Sequence, residues 1–172
     1  MISSHITLIT GARRVGKSTL CKQWATDLRA ANIQVSGLLT RHTGLHDLEV
    51  EVLRSGARYR LTQSFVAQAG QPLARFQMDA AASNRSRQDL ADSVPTDILI
   101  VDELGPLEFI HNRGWVNAFS ILAGGEYQHA LIVVRLELLA QAVTRLGNSQ
   151  YTVVHVTVEN RNALRAFAEE LL

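Results

Sequence analysis

The chain has 172 residues, of which 47% are hydrophobic and 19% are charged. This length and balance are typical of one globular domain with a substantial core, so we expect a single domain over residues 1–172. With 17 basic and 16 acidic residues the net charge is +1, which does not indicate a nucleic-acid or membrane surface. The sequence identifies no protein partner.

Membrane-spanning segments, signal peptides, cysteines and histidines limit the class of protein further. The sequence contains no apolar run near the roughly 20 residues needed to cross a bilayer, and its N-terminus lacks the regions of a signal peptide. We therefore expect a soluble, cytoplasmic protein. The single cysteine, Cys21, falls on the apolar side of a predicted helix, so we expect it in the core. The six histidines are scattered, and we expect surface or loop positions rather than a metal site.

The first predicted elements flank a glycine-containing loop. A short apolar, β-branched run at residues 5–10 predicts a strand, and apolar residues at helical spacing in 20–28 predict a helix. The segment between them fits the P-loop pattern, and a strand before it and a helix after it are the context that this pattern requires. The predicted nucleotide-binding residues are Gly11, Ala12, Arg13, Arg14, Val15, Gly16, Lys17, Ser18 and Thr19.

The spacing within this loop has a chemical reason. Gly11 and Gly16 let the backbone turn with its N–H groups inward, and the start of the helix adds its positive end, so that phosphates are cradled. Lys17 is predicted to reach the β- and γ-phosphate oxygens, and the Ser18 hydroxyl to hold Mg²⁺. The alternative is a glycine-rich turn that only caps a helix. The predicted strand before the loop and the predicted helix after it make this alternative less favoured.

The next elements include an antiparallel pair. Residues 33–40 predict a second strand, and residues 48–53 and 57–61 alternate apolar and polar side chains on either side of a turn. This pattern predicts a β-hairpin with one solvated face. Residues 71–93 are mixed, and their apolar positions suggest one helix, with its polar residues on an exposed face or in a break; these apolar positions are Met78, Ala81, Ala82 and Leu90.

The second half of the chain alternates strands and helices. Such alternation predicts an α/β fold with a mostly parallel sheet. The predicted strands are residues 97–101, 130–134 and 152–158, and the predicted helices are residues 115–122, 136–146 and 162–172.

Two acids follow the buried strand of the second half. Asp102 and Glu103 come directly after the apolar residues 98–101, and parallel strand ends open on the same edge as the P-loop. We therefore expect Asp102 to face Mg²⁺ and Glu103, a catalytic candidate, to lie close to the γ-phosphate. The alternative is an acidic strand-to-loop junction. Glu108 is a further catalytic candidate, for which an acid in a loop or at a helix start is an equal alternative.

A transferring phosphoryl group benefits from an added cation. Arg135 directly follows the strand ending at residue 134, which places it on the same sheet edge, and it is the first candidate for this catalytic role. Arg41, after the second strand, is the next candidate. Arg13 and Arg14 could serve the phosphates or be solvated.

Two residues after the last strand are candidates for the nucleotide base. Asn160 and Arg161 follow the predicted strand 152–158, where a base could pack against them. A helix N-cap and a surface arginine are the competing interpretation.

Three segments together resemble a known family. The P-loop at 11–20, the block 101–109 (Val-Asp-Glu-Leu-Gly-Pro-Leu-Glu-Phe) and the segment 158–164 around Asn160-Arg161 are similar to the small nucleoside-triphosphatases first described from thermophiles. Members have a P-loop, an Asp-Glu-hydrophobic-Gly-x-hydrophobic-Glu block and an Asn-Arg pair near the C-terminus. The similarity spans almost the whole chain, and its middle block is far more specific than a bare Asp-Glu pair.

The resemblance implies a fold and an activity. The fold is a three-layer, RecA-like P-loop architecture with a mostly parallel sheet flanked by helices and an antiparallel hairpin after the second strand. The activity is Mg²⁺-dependent hydrolysis of the γ-phosphate of ATP, GTP and other nucleoside triphosphates, with weak base selectivity and slow turnover. Pro106 stands where many members have lysine, and the Gly- and Arg-rich start of the hairpin is reduced to residues 41–44. We expect both departures to affect the rate of hydrolysis more than the type of reaction.

Two other functions fit the same motifs. A small-molecule or nucleotide kinase could use this core, although no Arg-rich lid is visible in the sequence unless Arg85 and Arg87 are remnants of one. A nucleotide-dependent switch or adaptor would hydrolyse slowly and be activated by a partner. The triphosphatase hypothesis is the leading one.

Overall fold

A computed structural model gives the structure of the protein and describes residues 4–63, 77–147 and 149–171. Its β-strands are β1 (His5–Gly11), β2 (Val35–His42), β3 (Leu48–Val52), β4 (Arg58–Arg60), β5 (Thr96–Leu104), β6 (Tyr127–Val134) and β7 (Tyr151–Val156). Its α-helices are α1 (Lys17–Ala30), α2 (Ala80–Ala91), α3 (Pro106–Phe109), α4 (Ala118–Gly124) and α5 (Leu139–Leu146). Two 3₁₀ helices are Leu136–Leu138 and Ala163–Leu171.

The seven strands form one sheet in the order β4-β3-β2-β5-β6-β1-β7. Strands β2, β5, β6, β1 and β7 are parallel to their neighbours in this group, whereas β3 runs antiparallel to both β2 and β4. The predicted α/β fold, a mostly parallel sheet with an antiparallel hairpin after the second strand, is therefore confirmed. The hairpin extends the main sheet, since Leu38 of β2 pairs with Val52 of β3.

Helices cover both faces of the sheet because successive side chains of its central strand point to opposite sides. In β5, Ile98 and Ile100 join the cluster formed with α1, while Leu99 and Val101 join the cluster formed with α2, α4 and α5. Each fully buried side chain of this size contributes about 1.5–3 kcal/mol. Because its side chains are buried on both faces of the sheet, β5 has a continuous apolar run in its sequence.

Several predicted elements differ from the structure in their bounds or their type. The helix predicted at 115–122 begins at Ala118, and α3 was not predicted. The last strand ends at Val156 because the backbone N–H of Thr157 donates to Asn160 Oδ1, which starts a turn. The C-terminal segment is a 3₁₀ helix. The sequence could not predict this type, because spacings of three and four between apolar residues occur in both kinds of helix.

The mixed stretch 71–93 contains one helix, α2, within its described part. Ser86 is buried in α2, and Asp79 caps the helix by accepting from the backbone N–H of Ala82. The helix therefore runs without a break through the polar residues 83–87. Residues 71–76 of that prediction lie outside the described residues.

Cys21 is buried, as expected for a core residue. The expectation of surface or loop positions is wrong for His129, which is half-buried in β6, with Nε2 2.8 Å from Thr7 Oγ1 of β1. Among the described residues, no three His, Cys, Asp or Glu side chains are grouped to hold a metal ion. In the same part of the chain, none of the helices is long and apolar enough to span a membrane.

Candidate functional site

The P-loop connects β1 to α1 at the carboxyl edge of the parallel strands. Gly11 and Gly16 have positive φ values of 144° and 113°, a region that L side chains rarely adopt. A Cβ on Gly11 would also lie 2.3 Å from the carbonyl oxygen of Val156 in β7. Glycine at these two positions is therefore required by the backbone path of the loop.

Lys17 begins α1 with a buried side chain that folds back over the loop. Its Nζ donates to the carbonyl oxygens of Gly11 at 3.0 Å and Ala12 at 2.8 Å. These contacts hold the ammonium group inside the curve of the loop. Of the other loop residues, Val15 is buried against the α1 core, whereas Ala12, Arg13, Arg14, Ser18 and Thr19 are exposed.

Asp102 lies at the end of β5, buried at the same edge of the sheet. Burial raises the pKa of its carboxyl group to about 7, hydrogen bonding by the Ser18 hydroxyl opposes that shift, and the neighbouring charge of Glu103 adds to it. Its buried Oδ2 has no hydrogen-bond partner among the described residues. A desolvated carboxylate oxygen beside a serine hydroxyl has the donor chemistry that Mg²⁺ prefers.

Glu103 and Arg135 are brought together from the ends of adjacent strands β5 and β6. Arg135 Nε donates to Glu103 Oε1 at 2.8 Å, and both side chains are partly exposed. Arg41, the second arginine candidate, instead pairs with Glu49 of β3 at 2.9 Å on the exposed hairpin. The structure thus places Arg135, rather than Arg41, beside the second acid.

Glu108 is buried with both carboxylate oxygens facing backbone donors. The N–H of Gly105 donates to Oε2 at 2.8 Å, and that of Trp115 donates to Oε1 at 2.9 Å. Burial raises the pKa of Glu108, and these N–H groups counter that rise. The carboxylate ties together the two ends of the loop 105–115, so its contacts are those of a loop anchor.

Asn160 and Arg161 lie in the turn after β7. Asn160 Nδ2 donates to the carbonyl oxygen of His155, and its Oδ1 accepts from the backbone N–H of Thr157. The Arg161 guanidinium approaches the carbonyl oxygen of Val15 at 3.4 Å, so it lies against the P-loop. Of the two, Arg161 is the one brought to the P-loop.

The sequence did not identify the wall of the site. A cavity of about 390 Å³ adjoins Ser18 and Glu103, and Trp115 forms part of its lining. The sequence predicts only a helix at Trp115, because an apolar residue at helical spacing gives no sign of a cavity. Gly114, with φ of 64°, precedes it, and a Cβ at this position would lie 2.1 Å from Glu108 Oε1. An isolated glycine before an aromatic residue is the only sign of this packing in the sequence.

Comparisons with known proteins agree with this geometry. A model of the family described as NTPase matches residues 6–168. The nucleoside-triphosphatase THEP1 of Pyrococcus abyssi is 30% identical over an alignment of 173 positions, which covers 95% of this chain and 89% of that protein. THEP1 of Methanopyrus kandleri is 28% identical over 167 residues, covering 93% and 91% of the two chains.

A solved structure shares the fold. The crystal structure of THEP1 from the hyperthermophile Aquifex aeolicus superimposes with a TM-score of 0.65 at 16% identity, over 97% of this chain and 96% of that one. The expected resemblance to small nucleoside-triphosphatases is confirmed by the family match and the relatives. The chain therefore belongs to the NTPase family of small P-loop enzymes that hydrolyse nucleoside triphosphates.

Proposed function

We propose that this chain is a Mg²⁺-dependent phosphohydrolase that cleaves ATP, GTP and other nucleoside triphosphates to the diphosphate and phosphate. The observation that carries the proposal is the convergence of Lys17, Ser18, Asp102 and Glu103 at one edge of the parallel sheet. We further propose the cytoplasm as its location, where Mg²⁺ and nucleoside triphosphates are both present.

Phosphate binding rests on the P-loop. Lys17 Nζ already lies inside the loop, so the β- and γ-phosphate oxygens replace the carbonyl oxygens of Gly11 and Ala12 as its partners. The inward N–H groups of the loop and the start of α1 bind the same oxygens. Arg13, exposed beside the cavity, adds a second positive charge at the phosphate.

Ser18 and Asp102 are the residues that hold the metal. The unpartnered Oδ2 of Asp102 favours this assignment, because a buried carboxylate oxygen without a partner is unfavourable until it meets a cation or a donor. When bound there, Mg²⁺ neutralises negative charge on the phosphate oxygens.

Glu103 orients and deprotonates the attacking water. The water oxygen forms a bond to the γ-phosphorus as the bond to the bridging oxygen of the β-phosphate breaks, and the water proton passes to Glu103. Arg135, hydrogen-bonded to Glu103, stabilises charge on the transferring group in this proposal. This ion pair must open during turnover, which is consistent with a slow enzyme.

The turn after β7 supports the proposal of weak base selectivity. The Asn160 amide is engaged by backbone groups of residues 155 and 157, so it has little capacity to read a base edge. Arg161 offers a planar guanidinium, on which any base can stack. Neither side chain distinguishes a purine from a pyrimidine.

Phosphate release from ATP, GTP, CTP and UTP by the purified chain, with Mg²⁺ and with EDTA, tests this function. We expect release that requires the metal, with kcat/KM values within about tenfold of each other, because every base can stack on the Arg161 guanidinium. Release from one nucleotide only would contradict base tolerance. No release from any of the four would overturn the proposed function.

A further inference from the structure

The cavity beside Glu103 is larger than hydrolysis requires. Its volume is about 390 Å³, whereas one water occupies about 30 Å³ of liquid and small-molecule pockets begin near 300 Å³. A γ-phosphoryl group and one attacking water leave most of this space unfilled. The remaining volume is sufficient for a second small molecule.

The cavity lies away from the nucleoside side of the P-loop. Its lining includes Thr40 of β2, Leu48 of β3 and Ser83 of α2, which are on the β2–β3 side of β5. The turn bearing Asn160 and Arg161 follows β7, at the opposite edge of the sheet beyond β1. A triphosphate in the P-loop thus separates the two regions, with its γ-phosphate toward the cavity.

The walls are mainly apolar and held in place. Leu48, Leu61, Met78 and Trp115 contribute apolar surface to the lining. Trp115 Nε1 donates to Ser86 Oγ at 2.9 Å, and its backbone N–H donates to Glu108, so the indole is fixed at both ends. Such a wall favours a flat apolar or aromatic body.

Charged groups in the lining constrain the occupant. The carboxylates of Glu103 and Glu108 are already paired, with Arg135 and with backbone N–H groups respectively. Arg13 of the P-loop and Arg135, which pairs with Glu103, also line the cavity. These arginines would repel a cationic occupant, and an anionic occupant would compete with the triphosphate for them.

We propose that this cavity is an acceptor site for a small, uncharged primary alcohol carried on an aromatic ring, and that the γ-phosphoryl group is transferred to its hydroxyl. The acceptor oxygen bonds to the γ-phosphorus as the bond to the β–γ bridging oxygen breaks. The hydroxyl proton passes to Glu103, and the products are a nucleoside diphosphate and a phosphomonoester. This inference rests on the proposed function, because the same P-loop and Glu103 act on either water or the alcohol.

The test adds benzyl alcohol, 2-phenylethanol or 4-pyridinemethanol to the enzyme with ATP and Mg²⁺, and follows phosphomonoester and free phosphate together by ³¹P NMR. We expect at least one alcohol to give an ester. Trp115 emission, isolated in a Trp24→Phe variant, should change when that alcohol is added. Trp24 packs on Phe167 in the core on the α1 side of the sheet and is not part of the cavity lining.

A cavity-filling variant and a surface control together locate the acceptor. Met78→Trp adds bulk within the cavity, whereas Val153→Trp adds the same side chain at a 43% exposed position on β7. We expect the ratio of ester to free phosphate to fall at least about tenfold in Met78→Trp and to be unchanged in Val153→Trp, since ester formation needs the filled space. An equal ratio in both variants would place the acceptor elsewhere and overturn the inference.

The outcomes separate the two proposals. Free phosphate without any ester, from all three alcohols, overturns the acceptor site and leaves the hydrolase intact, whether or not Trp115 emission changes. Absence of free phosphate when no alcohol is present overturns the proposed hydrolysis instead, and an ester formed once an alcohol is added would still support the acceptor site.

Discussion

Arg135 Nε lies 2.8 Å from Glu103 Oε1, so the candidate cation and the candidate base of the site satisfy each other across the ends of β5 and β6. A γ-phosphate that reaches the guanidinium competes with this carboxylate, and the carboxylate is then available to a water. The two side chains therefore act as a unit, and substitutions at them should not be additive.

Replacing the acid of this pair tests its role as a base. Glu103→Gln keeps the shape and can still accept a hydrogen bond from Arg135, but it cannot take a proton. We expect kcat to fall at least about 100-fold, the usual scale for a lost general base, while triphosphate binding is retained. Steady-state kinetics and a binding titration measure both. Glu49→Gln, in the exposed pair with Arg41, is the matched control; an unchanged kcat in Glu103→Gln would assign the proton elsewhere.

Replacing the cation tests charge stabilisation. Arg135→Ala should lower kcat by about 10³-fold or more, because the proposed mechanism has the guanidinium stabilise the transferring group as an arginine finger does. The double variant with Glu103→Gln should be slowed much less than the product of the two single effects, because each residue acts through a shared state. A kcat of Arg135→Ala within about threefold of the unaltered chain would remove Arg135 from the proposed mechanism. Arg41→Ala is the control.

The loop anchor at Glu108 predicts a large effect at a glycine. A Cβ on Gly114 would lie 2.1 Å from Glu108 Oε1, at a φ of 64°. Gly114→Ala should therefore displace the carboxylate from the N–H of Trp115 and destabilise the fold by about 2–4 kcal/mol, which sums the strained backbone and one lost buried partner. Urea unfolding measures this change.

A second glycine provides the control for that experiment. Gly124, at the end of α4, has no atom within 4 Å of an added Cβ, so Gly124→Ala should be neutral or slightly stabilising. Equal unfolding midpoints for the two variants would show that the contact between Gly114 and Glu108 is not the close packing described here.

The sheet end opposite the site predicts a pH dependence of stability. Burial, with a smaller contribution from His5, lowers the pKa of His129 from 6.5 to about 4. The unfolded chain therefore binds a proton between pH 6.5 and 4 that the folded chain does not, so this stability is present above pH 6.5 and is lost as the pH falls toward 4. Urea midpoints at pH 7 and pH 5 measure the loss.

Substitution separates this histidine from the other titrating groups. His129→Gln should reduce the difference between the midpoints at pH 7 and pH 5. The exposed His155→Gln variant in β7 should keep the difference found for the unaltered chain. The same difference in all three proteins would exclude His129 as its source.

Local signals sufficed where the chemistry is local. The P-loop could be placed because its glycines, lysine and hydroxyl are contiguous, and Asp102 because an apolar parallel strand must end at the same sheet edge. The sequence could not show that Glu108 faces two backbone N–H groups, because that depends on how the loop returns at residues 114 and 115. The sequence also could not show that Arg135 pairs with Glu103, because this contact requires β5 and β6 to be neighbours in the sheet.

Phosphate release by Lys17→Ala, beside Lys22→Ala, tests the account most directly. Both lysines are on α1, but Lys17 is buried against the P-loop and Lys22 is exposed. We predict that Lys17→Ala loses triphosphate binding and release by at least about 100-fold, the worth of two charge-assisted hydrogen bonds, while Lys22→Ala matches the unaltered chain. Normal binding and release in a folded Lys17→Ala protein would contradict the assignment of the site.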